Sequence, residues 1–173
     1  MMRTVKVLQK ESPISGTGVF AQVDIPKGHP ILEIDDSRLV TDTNPLRESE
    51  GEHERHCDYL PGGKIVLMQP PERYINHSCN PNSFVKTVNG VRYVFALTDI
   101  PAEEELTIEY SLNNDDENTW WDCACGSPRC RKQYHSNFFA LPLPLQLEYL
   151  PLLESWFIQE HKEKIEQLLI SAR

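Results

Sequence analysis

The sequence predicts a mainly β protein whose helices are confined to its C-terminal end. Short apolar runs of strand length lie between turn residues in the first third, as at residues 19–23 (VFAQV) and 31–34 (ILEI). Residues 64–68 (KIVLM) and 93–97 (YVFAL) have the same character later in the chain. Large apolar residues recur at helical spacing only beyond Pro142.

The individual elements follow from local patterns. We expect a first strand at residues 5–8, and Asn89-Gly90 predicts the turn of a hairpin whose second arm is 93–97. Residues 95–101 and 106–110 repeat the strand-turn-strand chemistry of residues 20–34. The polar stretch 42–57 predicts a loop or a short exposed helix, because it has little apolar surface to bury.

The C-terminal fifth predicts one or two amphipathic helices. Pro142 and Pro144 interrupt the chain, and apolar residues then recur over 145–153 and 156–169. Pro151 is expected to end or kink the first helix. Packing of this apolar face on the domain, or on a second copy as a dimer, is favoured over membrane binding.

Composition excludes several classes of protein. The chain has 173 residues with 39% hydrophobic and 25% charged residues, which predicts one domain with its own core. Its net charge of -9 disfavours direct nucleic-acid binding and suits a basic protein or peptide partner. Residues 1–4 (MMRT) begin no signal-peptide pattern, and no apolar run is long enough to span a bilayer. We therefore expect a soluble intracellular protein, cytoplasmic or nuclear.

The strongest local motif is the C-x-C-x-x-x-x-C pattern of residues 123–130. Cys123, Cys125 and Cys130 can bring three thiolates to one tetrahedral ion, and an odd number of cysteines without a secretion signal disfavours a disulfide framework. A fourth ligand must come from elsewhere in the chain. The candidates are Cys79, Cys57, His77 and His135.

Two rival interpretations concern residues 53–58 (HERHCD). His53 and His56 flank a glutamate as in a zinc protease, but they are three residues apart where that motif requires four. Cys57 beside His56 raises the alternative of a thiol-dependent hydrolase, which would assemble its catalytic pair from distant segments. A solvated loop is the simpler explanation for this stretch.

Four segments taken in order resemble the SET-domain protein-lysine methyltransferases. They are Gly16-Thr17-Gly18, residues 73–82 (RYINHSCNPN), residues 105–110 (ELTIEY) and the cysteine motif 123–130. The resemblance implies a β-clip (SET) fold of small curved β-sheets around a pseudoknot, in which residues 73–79 lie against 106–110. It divides the chain into a SET domain (1–111), a post-SET zinc-binding segment (112–135) and a C-terminal helical extension (136–173).

The resemblance also implies a function and a set of site residues. The function is transfer of a methyl group from S-adenosylmethionine to the ε-amine of a lysine in a histone or other basic protein. The alternative is a catalytically inactive, zinc-stabilised module that binds a protein or peptide. Tyr110 corresponds to the catalytic tyrosine, and Tyr59 to a second aromatic residue of the lysine channel. The residues implied around the cofactor are Gly16, Thr17, Gly18, Arg73, Asn76, His77 and Tyr110, and the implied zinc ligands are Cys79, Cys123, Cys125 and Cys130.

Methyl transfer needs a neutral amine from a lysine whose ordinary pKa is about 10.4. A dry channel next to a sulfonium charge disfavours the ammonium form, so no dedicated general base is expected. Two positions depart from the family pattern: Ile108 replaces an aromatic residue and Glu109 replaces an aspartate. Because Ile108 has no hydroxyl to hold a water molecule, addition of more than one methyl group is expected. The family often places an aromatic residue over the cofactor after the last cysteine, but Tyr134 and Phe138 are both slightly out of register and neither is assigned to this position.

Overall fold

The computed structural model describes residues 5–172, so the expectation about residues 1–4 lies outside the described residues. The fold is mainly β, as predicted, with five small sheets in the described chain. Strand β1 (Val7–Glu11) pairs antiparallel with β2 (Thr17–Ala21). The first strand begins two residues later than expected, and β2 ends at Ala21, before the exposed polar residue Gln22.

The predicted hairpin around Asn89-Gly90 is confirmed, and it supplies two strands of a three-stranded sheet. Strand β8 (Ser83–Val88) pairs antiparallel with β9 (Val91–Ala96), which pairs on its other edge with β3 (Pro30–Glu33). Asn89 and Gly90 both have positive φ, which is the conformation that a tight two-residue turn between twisted strands requires. The sheet order is therefore β3-β9-β8.

A second three-stranded sheet has the order β4-β6-β5. It consists of β4 (Leu39–Val40), β5 (Cys57–Leu60) and β6 (Lys64–Leu67). The polar stretch before β5 forms two single-turn 3-10 helices, Glu48–Glu50 and Glu54–His56, with no buried residue in either. This agrees with the expectation of a loop or a short exposed helix.

The segments 73–79 and 106–110 lie side by side, as the resemblance implied. Strand β7 (Asn76–His77) pairs in parallel with β10 (Thr107–Ile108), which is shorter than the strand expected at 106–110. An apolar core packs under this crossing and under β2, β3 and β9. Its buried members are Val19, Ala21, Ile25, Ile31, Leu32, Ile34, Ile75, Val94, Ala96, Ile100 and Leu106.

A long hairpin that the sequence did not predict encloses the cysteine motif. Strand β11 (Asp115–Asp122) pairs antiparallel with β12 (Gln133–Asn137), and residues 123–132 form the connection. Seven of the eight residues of β11 are exposed. With no buried face, the strand has no alternation of apolar and polar residues by which it could be recognised.

The C-terminal extension contains three helices, whereas one or two were expected. They are α1 (Leu143–Tyr149), α2 (Ser155–Glu160) and α3 (Lys162–Ser171). Pro151 lies in a 3-10 turn, Leu150–Leu152, directly after α1, so the expected break is confirmed. The apolar faces form a second core, whose buried members are Phe138, Leu141, Tyr149, Leu153, Phe157, Ile165 and Leu168. Among residues 5–172, no helix is long and apolar enough to cross a membrane.

Candidate active site

The first part of the site is the turn that precedes β2. Gly16 has φ +49°, and a Cβ there would meet no atom within 4 Å. Gly18 is glycine for a different reason, because a Cβ on it would collide with the carboxylate of Glu105. The amide of Asn76 donates hydrogen bonds to Glu105 Oε1 (2.8 Å) and to the backbone oxygens of Ser15 (3.1 Å) and Thr17 (3.2 Å). Asn76 thereby fixes the turn against β7.

Tyr110 lies two residues after the end of β10. Its hydroxyl donates a hydrogen bond to the carbonyl of Ile75 over 2.6 Å. Burial raises the pKa of Tyr110, and the negative charges of Asp58 and Glu105 raise it further. The phenol therefore stays protonated at neutral pH, with its oxygen fixed by the backbone of the residue before Asn76.

His77 packs beneath Tyr110 in a buried polar group. Burial lowers the pKa of His77 to about 4, although the nearby carboxylate of Glu109 acts in the opposite direction. The imidazole is therefore neutral at neutral pH. Its Nδ1 lies 3.4 Å from the backbone N of Tyr110, and its Nε2 lies 3.5 Å from Cys79 Sγ. His77 thus connects the tyrosine to the cysteine-containing segment, which is a packing role.

Glu109 and Arg131 form a buried ion pair beside this histidine. Arg131 Nη2 lies 2.8 Å from Glu109 Oε2, and the Glu109 side chain has no exposed surface. Ser111 Oγ donates to the other carboxylate oxygen of Glu109 over 2.8 Å. The sequence identified Glu109 only as a departure from the family pattern. The sequence did not identify Arg131, because a single arginine in a polar turn gives no sign that it is buried or that it contacts Glu109.

Two aromatic residues of the long hairpin complete the surroundings of Tyr110. Tyr134 is buried, and its ring meets that of His77 edge-on at 4.9 Å between centroids. Trp121 pairs with Tyr134 across the hairpin and lies 4.0 Å from it between ring centroids. Tyr134 is therefore the aromatic residue that reaches this site. Phe138 lies instead in the C-terminal core.

Tyr110 opens onto a cavity of about 860 Å³. Tyr59, which is 56% exposed, lines the same cavity and donates a hydrogen bond from its hydroxyl to Glu54 Oε1 over 3.1 Å. The lining combines aromatic and apolar side chains with carboxylates. It includes Asp58, Tyr59, Ile108, Tyr110, Asp115, Asp116, Trp121, Tyr134, Trp156, Phe157 and Glu160.

The candidate cofactor residues are grouped apart from this cavity. The Asn76 amide contacts the backbone oxygen of Thr17, which lies between Gly16 and Gly18. Among the described residues, Tyr110 is the only candidate cofactor residue that also lines the cavity. Arg73 is held by a hydrogen bond from its Nε to the carbonyl of Met68 (2.8 Å). Tyr110 therefore lines the aromatic cavity and is held by Ile75, the residue before Asn76, which contacts the glycine turn.

The four predicted cysteine ligands converge on one point. The sulfur atoms of Cys79, Cys123, Cys125 and Cys130 all lie within 4.8 Å of one another. Four thiolates around one zinc ion are separated by about 3.8 Å, given a Zn–S distance of about 2.3 Å. The observed Cys79–Cys123 sulfur distance is 3.7 Å. The donor set and its spacing therefore fit a tetrahedral ion such as zinc.

Backbone amides support these thiols. Arg131 N and Lys132 N each lie 3.4 Å from a sulfur, on Cys79 and Cys130 respectively. Although burial opposes it, hydrogen bonding by Ser127 lowers the pKa of the Cys125 thiol to about 6. Of the remaining candidates, His77 lies beside the cluster, with its Nε2 3.5 Å from Cys79 Sγ, while Cys57 and His135 lie elsewhere. Cys57 is on β5 with its thiol near the carbonyl of His53, and His135 contacts Gln133.

Comparison with known proteins identifies the class. Residues 16–111 match the family profile described as SET domain, and the chain belongs to the SET-domain protein-lysine methyltransferase family. It is 36% identical over 131 residues to histone-lysine N-methyltransferase trr of Drosophila melanogaster. It is 29% identical over 131 residues to histone-lysine N-methyltransferase 2D of Homo sapiens. Each alignment covers 70% of this chain.

This chain spans only a small part of those relatives, 5% and 2% of their lengths respectively. Among solved structures, a putative histone methyltransferase of Plasmodium falciparum has the same fold, with a TM-score of 0.50 and 22% identity. That similarity covers 62% of this chain and 95% of the other. The expected fold class is thereby confirmed.

Proposed function

We propose that this protein transfers a methyl group from S-adenosylmethionine to the ε-amine of a lysine on a protein substrate. The observation that supports this most strongly is the position of Tyr110. Its hydroxyl is held on the Ile75 carbonyl at 2.6 Å, between the turn fixed by Asn76 and an aromatic cavity. A methyl donor bound at this turn and a lysine in the cavity would meet at this hydroxyl.

The cofactor surface proposed is the glycine turn and its neighbours. The open space beside Gly16 leaves backbone groups of the turn accessible to a ligand, while the glycine at position 18 makes room for the carboxylate of Glu105. Thr17 is exposed on the same turn. When bound, S-adenosylmethionine supplies a methyl group on a positively charged sulfonium. We assign its binding to Gly16, Thr17, Gly18, Arg73, Asn76, His77 and Tyr110.

The lysine side chain is proposed to enter through the aromatic cavity. Tyr59, Trp121 and Tyr134 offer apolar faces to its alkyl stem, and exclusion of water disfavours the charged ammonium. The Tyr110 hydroxyl keeps its proton and donates it in a hydrogen bond to the Ile75 carbonyl, so an oxygen lone pair remains to accept an N–H hydrogen bond from the amine. The amine proton leaves to water, so we assign no residue as general base. Alignment of the reacting groups supplies most of the rate.

We infer that zinc is held by Cys79, Cys123, Cys125 and Cys130 and that its role is structural. Cys79 follows β7 by two residues, while the other three lie in the connection of the long hairpin. Four thiolates leave no open coordination position for a substrate. The ion would therefore fasten the hairpin, with Trp121 and Tyr134 on it, against the segment that contains Asn76 and His77.

The proposed substrate is a histone or another basic protein, in the cytoplasm or the nucleus. Both relatives named above are called histone-lysine N-methyltransferases. The net charge of -9 and the carboxylates of the cavity are complementary to a cationic protein segment.

Cofactor binding and methyl transfer are tested separately. S-adenosylmethionine should raise the melting temperature, because a ligand that binds only the folded state stabilises it. Labelled methyl from the same donor should then appear on lysine in at least one of a panel of histones, ribosomal proteins and lysine-rich peptides. Binding of peptide without any transfer would identify the protein as a non-catalytic module. The absence of both cofactor binding and methyl transfer would refute the proposal.

A further inference from the structure

The C-terminal extension contributes directly to the cavity that contains Tyr110. Residues of α2 and of the turn on either side of it line this cavity together with Tyr59 and Ile108. They are Glu154, Trp156, Phe157, Glu160 and His161. The resemblance that identified the other site residues ends near Cys130, so it assigns no role to these five.

We propose that α2 forms the substrate-facing wall of the lysine cleft, and that Glu154 is the positioning residue that holds this wall in place. The proposal rests on the proposed function in one respect, since it takes a lysine-bearing peptide as the occupant of the cavity. It adds a structural claim of its own, namely that the extension is part of the active site.

Glu154 joins three separate parts of the molecule. Its side chain is buried, with 6% of the residue exposed, and its Oε1 accepts hydrogen bonds from Thr87 N (2.7 Å) and Thr87 Oγ1 (2.9 Å). Its backbone N donates to Asn113 Oδ1 over 2.6 Å. Thr87 belongs to β8, and Asn113 lies three residues after Tyr110. Thr87 itself is exposed, so the strength of this anchor comes from the buried carboxylate, which forms two charge-assisted hydrogen bonds.

Further contacts hold the extension near the same point. Lys86, which precedes Thr87 on β8, donates a hydrogen bond from Nζ to the carbonyl of Leu153. His161 Nε2 lies 3.6 Å from Asp115 Oδ2, so the end of α2 meets the start of β11. The helix is therefore fixed at both ends against elements that contribute to the cavity.

The exposed groups on this wall suit a cationic peptide. Trp156 is half-buried and Glu160 is exposed, and both line the cavity. Asp115 and Asp116 line the same cavity from the start of β11, whereas Asp58 of β5 is already paired with Arg92 over 2.7 Å. A peptide that carries a basic residue beside its target lysine would place opposite charges together, and Trp156 would offer an apolar face to its aliphatic portion.

The wall is expected to affect substrate affinity more than the chemical step. Tyr110 is held by Ile75, and Asn76 is held by the glycine turn, neither of which involves the extension. Loss of the wall should therefore raise the KM for peptide while kcat and cofactor affinity remain close to wild type. This pattern distinguishes a positioning role from general destabilisation.

The test compares four variants of the full chain. Glu154→Ala removes the acceptor for both Thr87 donors, whereas Glu154→Gln retains an oxygen at the same position and serves as the conservative variant. Trp156→Ala removes the wall residue itself. Glu163→Gln is the control, because Glu163 is exposed on α3 and is not among the residues of the cavity lining. Zinc content and melting temperature are measured for every variant.

Two readouts are made with the best peptide of the methylation panel. They are steady-state KM and kcat, and peptide affinity by fluorescence anisotropy with S-adenosylhomocysteine present. We expect Glu154→Ala and Trp156→Ala to raise the KM for peptide about tenfold and to lower the peptide affinity about tenfold. Both quantities should remain within about twofold of wild type in Glu154→Gln and Glu163→Gln. Zinc content and cofactor affinity should stay unchanged in all four.

Failure of this proposal is distinguishable from failure of the proposed function. Wild-type peptide affinity and KM in both Glu154→Ala and Trp156→Ala would overturn the proposal that α2 forms the wall of the cleft, even if methyl transfer is confirmed. A wild type that binds peptide but transfers no methyl group would refute the proposed function. Weaker binding by the two variants would in that case still support the wall. A wild type that binds no peptide of the panel would overturn both.

Discussion

Replacement of Glu109 by glutamine should destabilise the protein more than any other single change of charge near the site. The carboxylate has no exposed surface and is paired with Arg131 at 2.8 Å, and its second oxygen accepts a hydrogen bond from Ser111 Oγ over 2.8 Å. An amide at position 109 would still accept from Ser111, but its nitrogen would face the guanidinium donors of Arg131. The variant therefore leaves a largely buried positive charge without its partner.

The magnitude follows from this geometry. Removing one member of a buried ion pair costs about 3 to 5 kcal/mol. Arg131 already has one buried nitrogen, Nη1, without a hydrogen-bond partner among the described residues, so little local compensation is available. For a chain of this length the loss corresponds to a fall in melting temperature of about 6 to 20 °C.

Urea unfolding of the zinc-loaded protein measures this loss. Glu109→Gln should lower the midpoint without changing the slope, and Glu117→Gln, on the exposed face of β11, is the matched control. Removing both charges in Glu109→Gln/Arg131→Met should restore most of the stability, because no unpaired ion then remains. A loss below about 0.5 kcal/mol in the single variant would refute the role assigned to the pair.

Three further predictions follow from other parts of the molecule. Cys125→Ser should lower the zinc content and destabilise the β11–β12 hairpin, because structural zinc contributes folding energy directly; full metal occupancy measured by atomic absorption would contradict the ligand assignment. The wild type should add more than one methyl group to its target lysine, since Ile108 in the cavity lining has no hydroxyl, and Ile108→Tyr should restrict the product. Mass spectrometry that finds a single methyl after exhaustive reaction of the wild type would count against this. A hydrogen bond from Arg38 lowers the pKa of Glu52 from 4.5 to about 2, so this carboxylate stabilises the fold above pH 4.5 and loses that effect as the pH falls toward 2. Glu52→Gln should therefore show a smaller drop in melting temperature between about pH 5 and pH 3 than wild type, and an equal drop would contradict the pairing.

The strand-rich part of the fold was predictable because local chemistry and tertiary structure agree there. Asn89 and Gly90 favour the positive φ that a tight hairpin requires, and the hairpin forms at that point. The parallel contact between β7 and β10 has no local cause, since the two strands are about thirty residues apart in sequence. It was predictable only through the resemblance to a known family.

The cysteine site could be anticipated in part. Three ligands lie within eight residues and were identified by spacing alone. Cys79 is distant in sequence, and residue chemistry left it as one of four candidates. The resemblance selected it, and the convergence of the four sulfur atoms within 4.8 Å agrees with that choice.

Features that depend on exposed or distant residues were not predictable. Strand β11 has no buried face, so no periodic pattern distinguishes it from a loop. The close contact between the rings of Trp121 and Tyr134 depends on the register of that hairpin. The contact between Thr87 and Glu154 joins residues 67 positions apart, and each is a polar residue of a type that usually faces solvent.

The most direct test of the central claim is methyl transfer by Tyr110→Phe on the best substrate of the panel. The substitution removes the hydroxyl that lies 2.6 Å from the Ile75 carbonyl and leaves the aromatic ring in place. We expect the rate of transfer to fall at least about a hundredfold, with zinc content and cofactor binding retained. Transfer at the wild-type rate by Tyr110→Phe would contradict the assignment of Tyr110 as the catalytic residue.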